Sequence, residues 1–236
     1  MGKKGNLYLI PVPIAEDSLH TIPQYVIERI HQLDYFIAER AKTARHFIKA
    51  TGMPKPLPSL IIEELNKRTT GEEKTAFLNP ALEGNDIGLM SEAGCPGVAD
   101  PGAEIVAMAH QKGIRVVPMV GPSSILMALM ASGMNGQSFA FQGYLGAKTP
   151  DLVKDLKRLE SQAIKFKQTQ LFIEAPYRNR GVVEQALKVL QAETRFGIAM
   201  DISAPTEYIK TLKIKQWRKE RLPELHKRPA IFLISR

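Results

Sequence analysis

The sequence contains a single cysteine and no apolar run of membrane length. Cys95 alone excludes an intramolecular disulfide and cysteine-based zinc motifs. Residues 116–147 carry no charge, but prolines, glycines and an asparagine leave 125–131 as the longest apolar run. A membrane helix needs roughly 20 such residues. The apolar segment 7–14 is short and contains two prolines, which is not typical of a signal peptide. A cytoplasmic protein without a membrane segment is therefore expected.

Several common catalytic motifs are also absent. The sequence has no phosphate-binding P-loop, no Gly-x-Gly-x-x-Gly after its first predicted strand and no Gly-x-Ser-x-Gly nucleophile elbow. Its five histidines lack the spacing of metal ligands, so no metal site is expected. Cys95 has two interpretations, a nucleophile or a small residue in a glycine-rich turn. Ser91 has no identifiable base nearby in the sequence.

The net positive charge of the chain comes entirely from residues 151–236. The formal net charge of the 236 residues is +8. Residues 1–150 contain 14 basic and 14 acidic side chains and sum to zero, whereas residues 151–236 contain 18 basic and 10 acidic ones, a net of +8. A solvated basic surface and a polyanion-binding surface both explain this asymmetry, because the basic residues are scattered.

Strands and helices alternate over the first half of the sequence. The predicted strands are Leu7–Ile10, Tyr35–Ala38, Ile87–Met90 and Arg115–Val117. Thr21 is a candidate N-cap for a helix with apolar residues at helical spacing, Val26, Ile27, Ile30 and Leu33. Short connections in this order predict a parallel sheet flanked by helices. Ligands bind beyond the carboxyl ends of such strands, so the loops 11–18, 91–100 and 118–123 are the candidate binding loops.

The second half has fewer helices between its strands. Helices are predicted at 151–161 and 180–190, and strands at 170–174, 197–201, 208–214 and 230–234. This order favours a mixed sheet in a second domain. Because burying an unpaired charge is costly, the uncharged stretch is a suitable domain junction. We therefore predict an N-terminal α/β domain of residues 1–117 and a C-terminal α/β domain of residues 118–236.

Two glycine-containing loops are the strongest candidates for ligand contact. The segment 91–102 has three glycines and two prolines between a strand and a helix, so its backbone could face a bound molecule. It could equally be a tight crossover. The segment 121–124, Gly-Pro-Ser-Ser, precedes an apolar helix that its hydroxyls could cap. Its position at the predicted junction favours a ligand role.

These loops and several other segments resemble one enzyme family. The matching segments are 5–14, 34–52, 91–102, 113–118, 121–123, 131–133, 141–148 and 174–178. In them the chain resembles the tetrapyrrole methylase superfamily of S-adenosylmethionine-dependent methyltransferases. Within it, the chain is similar to the family of the 16S ribosomal RNA 2′-O-ribose cytidine methyltransferase I.

The resemblance implies a fold, a cofactor and a set of contacts. It implies two α/β domains, with a parallel sheet in the first and a mixed sheet in the second, that bind S-adenosylmethionine in the cleft between them, usually as a homodimer. The implied cofactor-binding positions are Pro11, Glu92, Ala93, Gly94, Val98, Ala99, Ser123, Ser124, Glu174, Ala175, Met200, Pro229 and Ala230. Many would act through backbone atoms, which would explain the glycine-rich loops.

The implied reaction is methyl transfer from a sulfonium to a ribose 2′-hydroxyl. That hydroxyl is a weak acid, so a base or a cation would help to remove its proton. Glu39 and Arg45 match the family and are the catalytic candidates. The structural alternative places Glu39 at a helix start with Arg45 as its surface partner.

The sequence departs from the family on the acceptor side. Residues 39–42 read Glu-Arg-Ala-Lys instead of Glu-Asp-Thr-Arg, Tyr177 replaces a histidine, and 227–234 is more similar to tetrapyrrole methylases. Three functions stay open: methylation of ribosomal RNA, with the small ribosomal subunit as partner; methylation of a tetrapyrrole-like small molecule; and non-catalytic cofactor or RNA binding. The C-terminal positive charge favours the first because it would attract phosphates.

Overall fold

A computed structural model describes residues 2–236, which form two compact units. The first unit ends at Ser123 and the second begins at Ser124. The boundary expected after residue 117 falls inside the last strand of the first unit's sheet, where Pro118 still pairs with Leu9.

The first unit is a parallel sheet with helical connections. Its elements are β1 (Asn6–Ile10), α1 (Gln24–Gln32), β2 (Tyr35–Ala38), α2 (Ala41–Ala50), β3 (Ile61–Glu64), α3 (Gly71–Ala76), α4 (Asn79–Leu82), β4 (Ile87–Met90), α5 (Gly102–Gln111) and β5 (Arg115–Pro118). The strand order is β3-β2-β4-β1-β5, and every neighbouring pair is parallel. The predicted fold class of this half is confirmed.

The apolar face predicted for the first helix is correct, but its N-cap is wrong. Val26 and Ile30 are fully buried and pack in the core beside β1 and β2. The helix begins after Pro23, whereas Thr21 ends a short 3-10 turn and its hydroxyl donates to the Ser18 carbonyl. Proline favours an extended residue before it, and Ile22 is extended, so the chain is redirected between Thr21 and the helix.

The second unit is built on a mixed sheet. Its elements are α6 (Ser124–Ser132), β6 (Phe139–Tyr144), α7 (Thr149–Phe166), β7 (Thr169–Ile173), α8 (Asn179–Val189), β8 (Arg195–Met200), β9 (Tyr208–Lys213), α9 (Ile214–Trp217) and β10 (Ala230–Ser235). The strand order is β6-β7-β10-β8-β9. The β6–β7 pair is parallel, and the other three pairs are antiparallel, as the mixed-sheet prediction requires.

The core of the second unit contains three phenylalanines and the chain's one tryptophan. Phe232 on β10 stacks against Phe172 and Phe196 on the two neighbouring strands. Trp217 is 1% exposed, and its indole N–H donates to the Phe196 carbonyl over 2.7 Å. The tryptophan thus fixes α9 against the sheet and gives this unit its own fluorescent probe. Within residues 2–236, no helix is both long and apolar enough to cross a membrane.

Candidate active site

The carboxyl ends of β1 and β4 form a topological switch point in the first unit. The chain leaves β1 towards β2 on one side of the sheet order and leaves β4 towards β5 on the other side. Such opposed connections open a crevice beyond the strand ends. Here the two loops are joined by a backbone pair, in which Val12 N–H donates to Gly94 O over 2.9 Å and Gly94 N–H donates to Val12 O over 3.1 Å. Predicted cofactor residues Pro11 and Gly94 are thereby brought together.

The loop after β4 has an unusual and well-anchored backbone. Gly94, Gly97 and Ala99 have φ values of 74°, 82° and 61°, a region that disfavours side chains. The Asp100 carboxylate accepts hydrogen bonds from Gly97 N–H and Gly102 N–H over 2.9 and 2.7 Å. Asp100 therefore holds both ends of the turn that exposes Val98 and Ala99, two of the predicted cofactor contacts.

The loop after β5 approaches the loop after β1 closely. A Cβ atom on Gly121 would lie 2.2 Å from the Cβ of Pro11 and 2.3 Å from its Cγ. Only glycine permits this approach, because a proline ring cannot rotate away. Ser123, a predicted cofactor residue, follows two positions later.

Three acidic residues gather beyond β2 and β4. The Glu39 carboxylate accepts the backbone N–H of Glu92 over 3.4 Å, and the Glu92 carboxylate accepts the Thr43 hydroxyl over 3.2 Å. Burial raises the pKa of Glu39 above its ordinary value, the Glu92 N–H acts in the opposite direction, and the charges of Asp100 and Glu92 raise it further. A carboxylate whose pKa is raised is a stronger base, which suits it to proton transfer.

The second catalytic candidate, Arg45, lies on the helix that follows Glu39. Arg45 is exposed on α2, and no ion pair joins it to Glu39 within residues 2–236. The cation that acts on the pKa of Glu39 is Arg40. The ion pair of the structural alternative, between Arg45 and Glu39, is thus not formed among the described residues, whereas Glu39 does lie just before the start of α2.

Ser91 and Cys95 have structural contacts. The Ser91 hydroxyl donates to the Ala93 and Gly94 carbonyls, and the Cys95 thiol donates to the Pro122 carbonyl over 3.4 Å. Burial raises the pKa of the Cys95 thiol, which disfavours the nucleophilic thiolate. These contacts favour the small-residue interpretation of Cys95.

A cavity of about 800 Å³ adjoins the loops after β1 and β4. It is lined by Val12–Leu19, by Met90–Ala93 and by one face of α2, with Thr43, Ala44, His46, Phe47 and Ala50. Most of the lining is apolar, with the carboxylates of Glu16, Asp17 and Glu92 among it. Sequence reasoning missed the α2 residues: their spacing of three and four places them on one helix face, but it does not show that this face lines a cavity.

In the second unit, the predicted cofactor residues share one edge of the sheet. Met200 at the end of β8 pairs with Ala230 at the start of β10, and the Asp201 N–H donates to the Pro229 carbonyl over 3.0 Å. Glu174 and Ala175 follow β7, whose last residue pairs with the second residue of β10. The antiparallel placement of β10 thus gathers segments that lie far apart in sequence. Ser124 is the first residue of α6 in the same unit.

Glu174 is a buried carboxylate held by Arg178. Its side chain is 3% exposed, and its Oε1 accepts the Ala175 N–H over 2.8 Å and Arg178 Nη1 over 3.1 Å. Oε2 is buried, and although it is also 3.1 Å from Arg178 Nη1, it accepts no well-aligned hydrogen bond. Oε2 therefore has capacity for a further donor. Among the described residues, no group of three or more His, Cys, Asp or Glu side chains has the arrangement of a metal site.

The sequence is similar to curated bacterial proteins named "Ribosomal RNA small subunit methyltransferase I". It is 31% identical to that of Halalkalibacterium halodurans over 187 residues, covering 79% of this chain and 61% of the relative. It is 33% identical to that of Bacillus subtilis over 186 residues, covering 79% and 60%. With that of Vibrio cholerae it shares 28% over 214 residues, covering 89% and 69%. The chain thus spans about three fifths of the length of the first two relatives.

The fold is similar to that of the methyltransferase CobJ. The TM-score with its crystal structure is 0.64 at 16% sequence identity, covering 98% of this chain and 94% of the other. A family model described as tetrapyrrole (corrin/porphyrin) methylases matches residues 6–217. The chain therefore belongs to the tetrapyrrole methylase family of S-adenosylmethionine-dependent methyltransferases.

Proposed function

We propose that this protein transfers a methyl group from S-adenosylmethionine to a ribose 2′-hydroxyl in ribosomal RNA. The observation that carries the choice of acceptor is the charge of the first-unit cavity. Its lining contains three carboxylates, Glu16, Asp17 and Glu92, and only His46 as a possible cation. These carboxylates can accept hydrogen bonds from ribose hydroxyls and base amino groups, and they would repel the carboxylates of a tetrapyrrole. They would repel RNA phosphates as well, so we propose that a nucleoside enters the cavity and that its phosphates stay outside. The names of the relatives support small-subunit ribosomal RNA as the molecule that carries the acceptor.

The residues present fit the proposed cofactor in both units. In the first unit, the turn held by Asp100 exposes Val98 and Ala99, and Gly121 approaches Pro11 closely. In the second, the unused Oε2 of Glu174 can accept a hydroxyl or ammonium donor. We propose that the cofactor is bound by the thirteen positions assigned from the family resemblance. When bound, it supplies an electrophilic methyl group on a positively charged sulfur.

Glu39 is proposed to accept the acceptor's proton. It is partly buried beside the carboxylate of Glu92 and the loop that begins at Ser91, and its pKa is raised chiefly by burial. A carboxylate with a raised pKa is a stronger base, and general-base catalysis typically contributes about 10²- to 10⁴-fold in rate. Arg45 is proposed to contact acceptor phosphate from the exposed face of α2, where a guanidinium can form a paired contact.

Homodimer formation and a cytoplasmic location are also proposed. On α6, Leu126 and Met130 are 49% and 81% exposed, in a helix without any charged residue. Exposed apolar residues on an uncharged helix are typical of a contact between subunits. Sedimentation of the purified chain is expected to give a dimer, and Met130→Glu is expected to shift it towards monomer. A wild-type chain that sediments as a monomer would contradict this part of the proposal.

The proposed reaction is tested by comparing ribosomal RNA from wild-type and deletion cells. Mass spectrometry of nucleosides is expected to show one ribose-methylated nucleotide that is absent after deletion and is restored by the wild-type gene. Glu39→Gln is expected not to restore it, whereas Glu63→Gln, a matched change at an exposed carboxylate of β3, is expected to do so. An identical modification pattern in both strains would overturn the RNA assignment.

The second candidate acceptor is a tetrapyrrole-like small molecule. Residues 227–234, which are similar to tetrapyrrole methylases, and the volume of the first-unit cavity favour it. Titration of the protein with precursor corrins or porphyrinogens separates the two. Binding that is insensitive to salt and is followed by methyl transfer would support the small molecule, since RNA binding falls steeply with salt. A cofactor-binding protein without turnover would bind S-adenosylmethionine and form no S-adenosylhomocysteine with either acceptor.

A further inference from the structure

The C-terminal positive charge is concentrated in the last 36 residues. Residues 201–236 contain nine basic and four acidic side chains, a net of +5 out of the chain's +8. A cavity of about 730 Å³ in the second unit is made mainly from this segment. Its lining residues are Arg180, Tyr208, Lys210, Arg221, Leu222, Pro223, Glu224 and Leu225. Three cations and one carboxylate give the lining a net charge of +2, the opposite sign to the first-unit cavity.

The wall of this cavity is fixed by hydrogen bonds to buried groups. Asn179 is fully buried, and its side-chain NH₂ donates to the carbonyls of Leu225 and Arg228. Arg218 donates to the carbonyls of Leu187 and Leu190, at the end of α8 and just after it. The loop between α9 and β10 is therefore attached to α8 at both of its ends. A cavity with a fixed wall binds a ligand without the cost of ordering that wall.

The cations are oriented by acidic neighbours and keep donors for a ligand. Arg180 pairs with Glu184 and Lys210 pairs with Glu220, each over 3.0 Å. The hydrogen bond to Glu220 raises the pKa of Lys210, so its ammonium stays charged. A guanidinium has five N–H donors and an ammonium three, so one ion pair leaves several donors unused. The one carboxylate of the lining, Glu224, accepts the backbone N–H of His226 over 2.8 Å.

We propose that the cavity lined by Arg180, Lys210 and Arg221 binds phosphate groups of an RNA backbone. The inference rests on the proposed function, and it adds where the RNA is held. Tyr208, which lines the cavity, pairs with Met200 at the sheet edge that carries this unit's predicted cofactor residues. Phosphates bound here would hold RNA beside that edge. Cations in a preformed cavity recognise phosphate without reading sequence, so the site serves affinity and the acceptor nucleotide is selected elsewhere.

The test compares two triple variants of the full-length protein. Arg180→Gln, Lys210→Gln and Arg221→Gln remove the cavity's cations. Lys154→Gln, Lys165→Gln and Lys188→Gln remove the same charge from exposed positions on α7 and α8 that do not line the cavity. Affinity for a uridine homopolymer and for a fragment of small-subunit ribosomal RNA is measured over a salt series. Thermal unfolding followed by circular dichroism checks that each variant is folded, because Lys210 lies 5.8 Å from the centroid of the Trp217 ring and its replacement would itself alter Trp217 fluorescence.

The cavity variant is expected to lose about tenfold or more in affinity for both RNAs at low salt. Its plot of log affinity against log salt is expected to be shallower by about 2, because each phosphate contact to a single strand contributes about 0.7. The control is expected to change affinity by less than about threefold through long-range charge. Equal affinities of the folded cavity variant and the control would overturn the proposal, as would a loss confined to one RNA.

Two further measurements separate this inference from the proposed function. Cofactor binding by calorimetry and methyl transfer to ribosomal RNA are recorded for the same proteins. Methyl transfer by the wild type together with unchanged RNA affinity in the cavity variant would overturn the cavity and leave the function standing. RNA binding through the cavity without any methyl transfer would support the cavity and overturn the proposed function. Inorganic phosphate is titrated alone, and a wild type that binds it but not the homopolymer would contradict an RNA site.

Discussion

Gly121→Ala tests the contact between the loops after β1 and β5. A methyl group at this position would have its carbon 2.2 Å from the Cβ of Pro11, whereas unbonded carbon atoms pack at about 3.5–4.0 Å. One of the two loops must therefore move by more than 1 Å. The ring of Pro11 has no alternative rotamer that would remove the clash, so the backbone carries the displacement.

The expected cost is that of overpacking a core site, about 2 kcal/mol in the free energy of unfolding. For a domain of this size that corresponds to a fall of about 4–8 °C in Tm. Cofactor affinity is expected to fall as well, because Pro11 and Ser123 lie on the displaced loops. The matched control is Gly136→Ala, where the added Cβ has no atom within 4 Å and is expected to change the unfolding free energy by less than about 0.5 kcal/mol.

Circular dichroism follows the whole chain during thermal unfolding, and Trp217 fluorescence follows the second unit. Since Gly121 belongs to the first unit, its substitution is expected to lower the circular-dichroism transition of that unit. If the two units unfold separately, the midpoint of the Trp217 transition is expected to equal that of the wild type. A Gly121→Ala protein with the stability and cofactor affinity of Gly136→Ala would refute the argument that this approach requires glycine.

Three other substitutions have defined outcomes. Glu39→Gln is expected to remove the rise of kcat with pH, because the wild-type base acts only above its raised pKa. Because the pKa of Glu39 is raised in the folded state, its protonated form stabilises the fold at low pH, and this stabilisation is lost as pH rises through that pKa. Glu39→Gln is therefore not expected to lower Tm at neutral pH. Glu160→Ala removes the acceptor of the buried Thr194 hydroxyl and of the partly buried Gln191 N–H, and it is expected to cost about 2–3 kcal/mol in urea unfolding. The exposed Glu207→Ala is expected to change the unfolding free energy less. Arg178→Ala leaves the carboxylate of Glu174 buried without its cation and is expected to cost about 3–5 kcal/mol in the free energy of unfolding. Arg178→Lys is expected to retain part of that stability. Equal losses for the two variants would contradict the charge argument.

The buried strands could be predicted from the sequence, and two edge strands could not. β4 reads Ile-Gly-Leu-Met and is buried along its whole length, so its apolar run is a direct signal. β3 reads Ile-Ile-Glu-Glu at an exposed edge, and its two glutamates break the pattern. β6 is also an edge strand, and its pairing shifts between Phe141 and Tyr144, where Gly143 has a φ of 66°. An irregular, half-exposed edge strand leaves no alternation to detect.

The candidate site was only partly accessible to local sequence reasoning. Glycine and proline marked the loops after β1, β4 and β5 because those loops need special backbone conformations. The cavity face of α2 was missed, because Thr43, His46 and Phe47 lie there by virtue of the sheet order, which periodicity alone does not fix. In the second unit, Glu174 and Met200 were assigned only through the family resemblance. The antiparallel insertion of β10 between β7 and β8 brings them to one edge, and no short-range pattern encodes that insertion.

The most direct measurement of the central claim is methyl transfer to RNA by the purified chain. Small ribosomal subunits from cells that lack this gene are incubated with the protein and S-adenosylmethionine labelled in its methyl group, and the RNA is then digested to nucleosides. The account predicts label on the ribose of a single nucleotide, formed by the wild type and lost in Glu39→Gln. Label on a base, or no label in RNA from a protein that binds the cofactor, would contradict it.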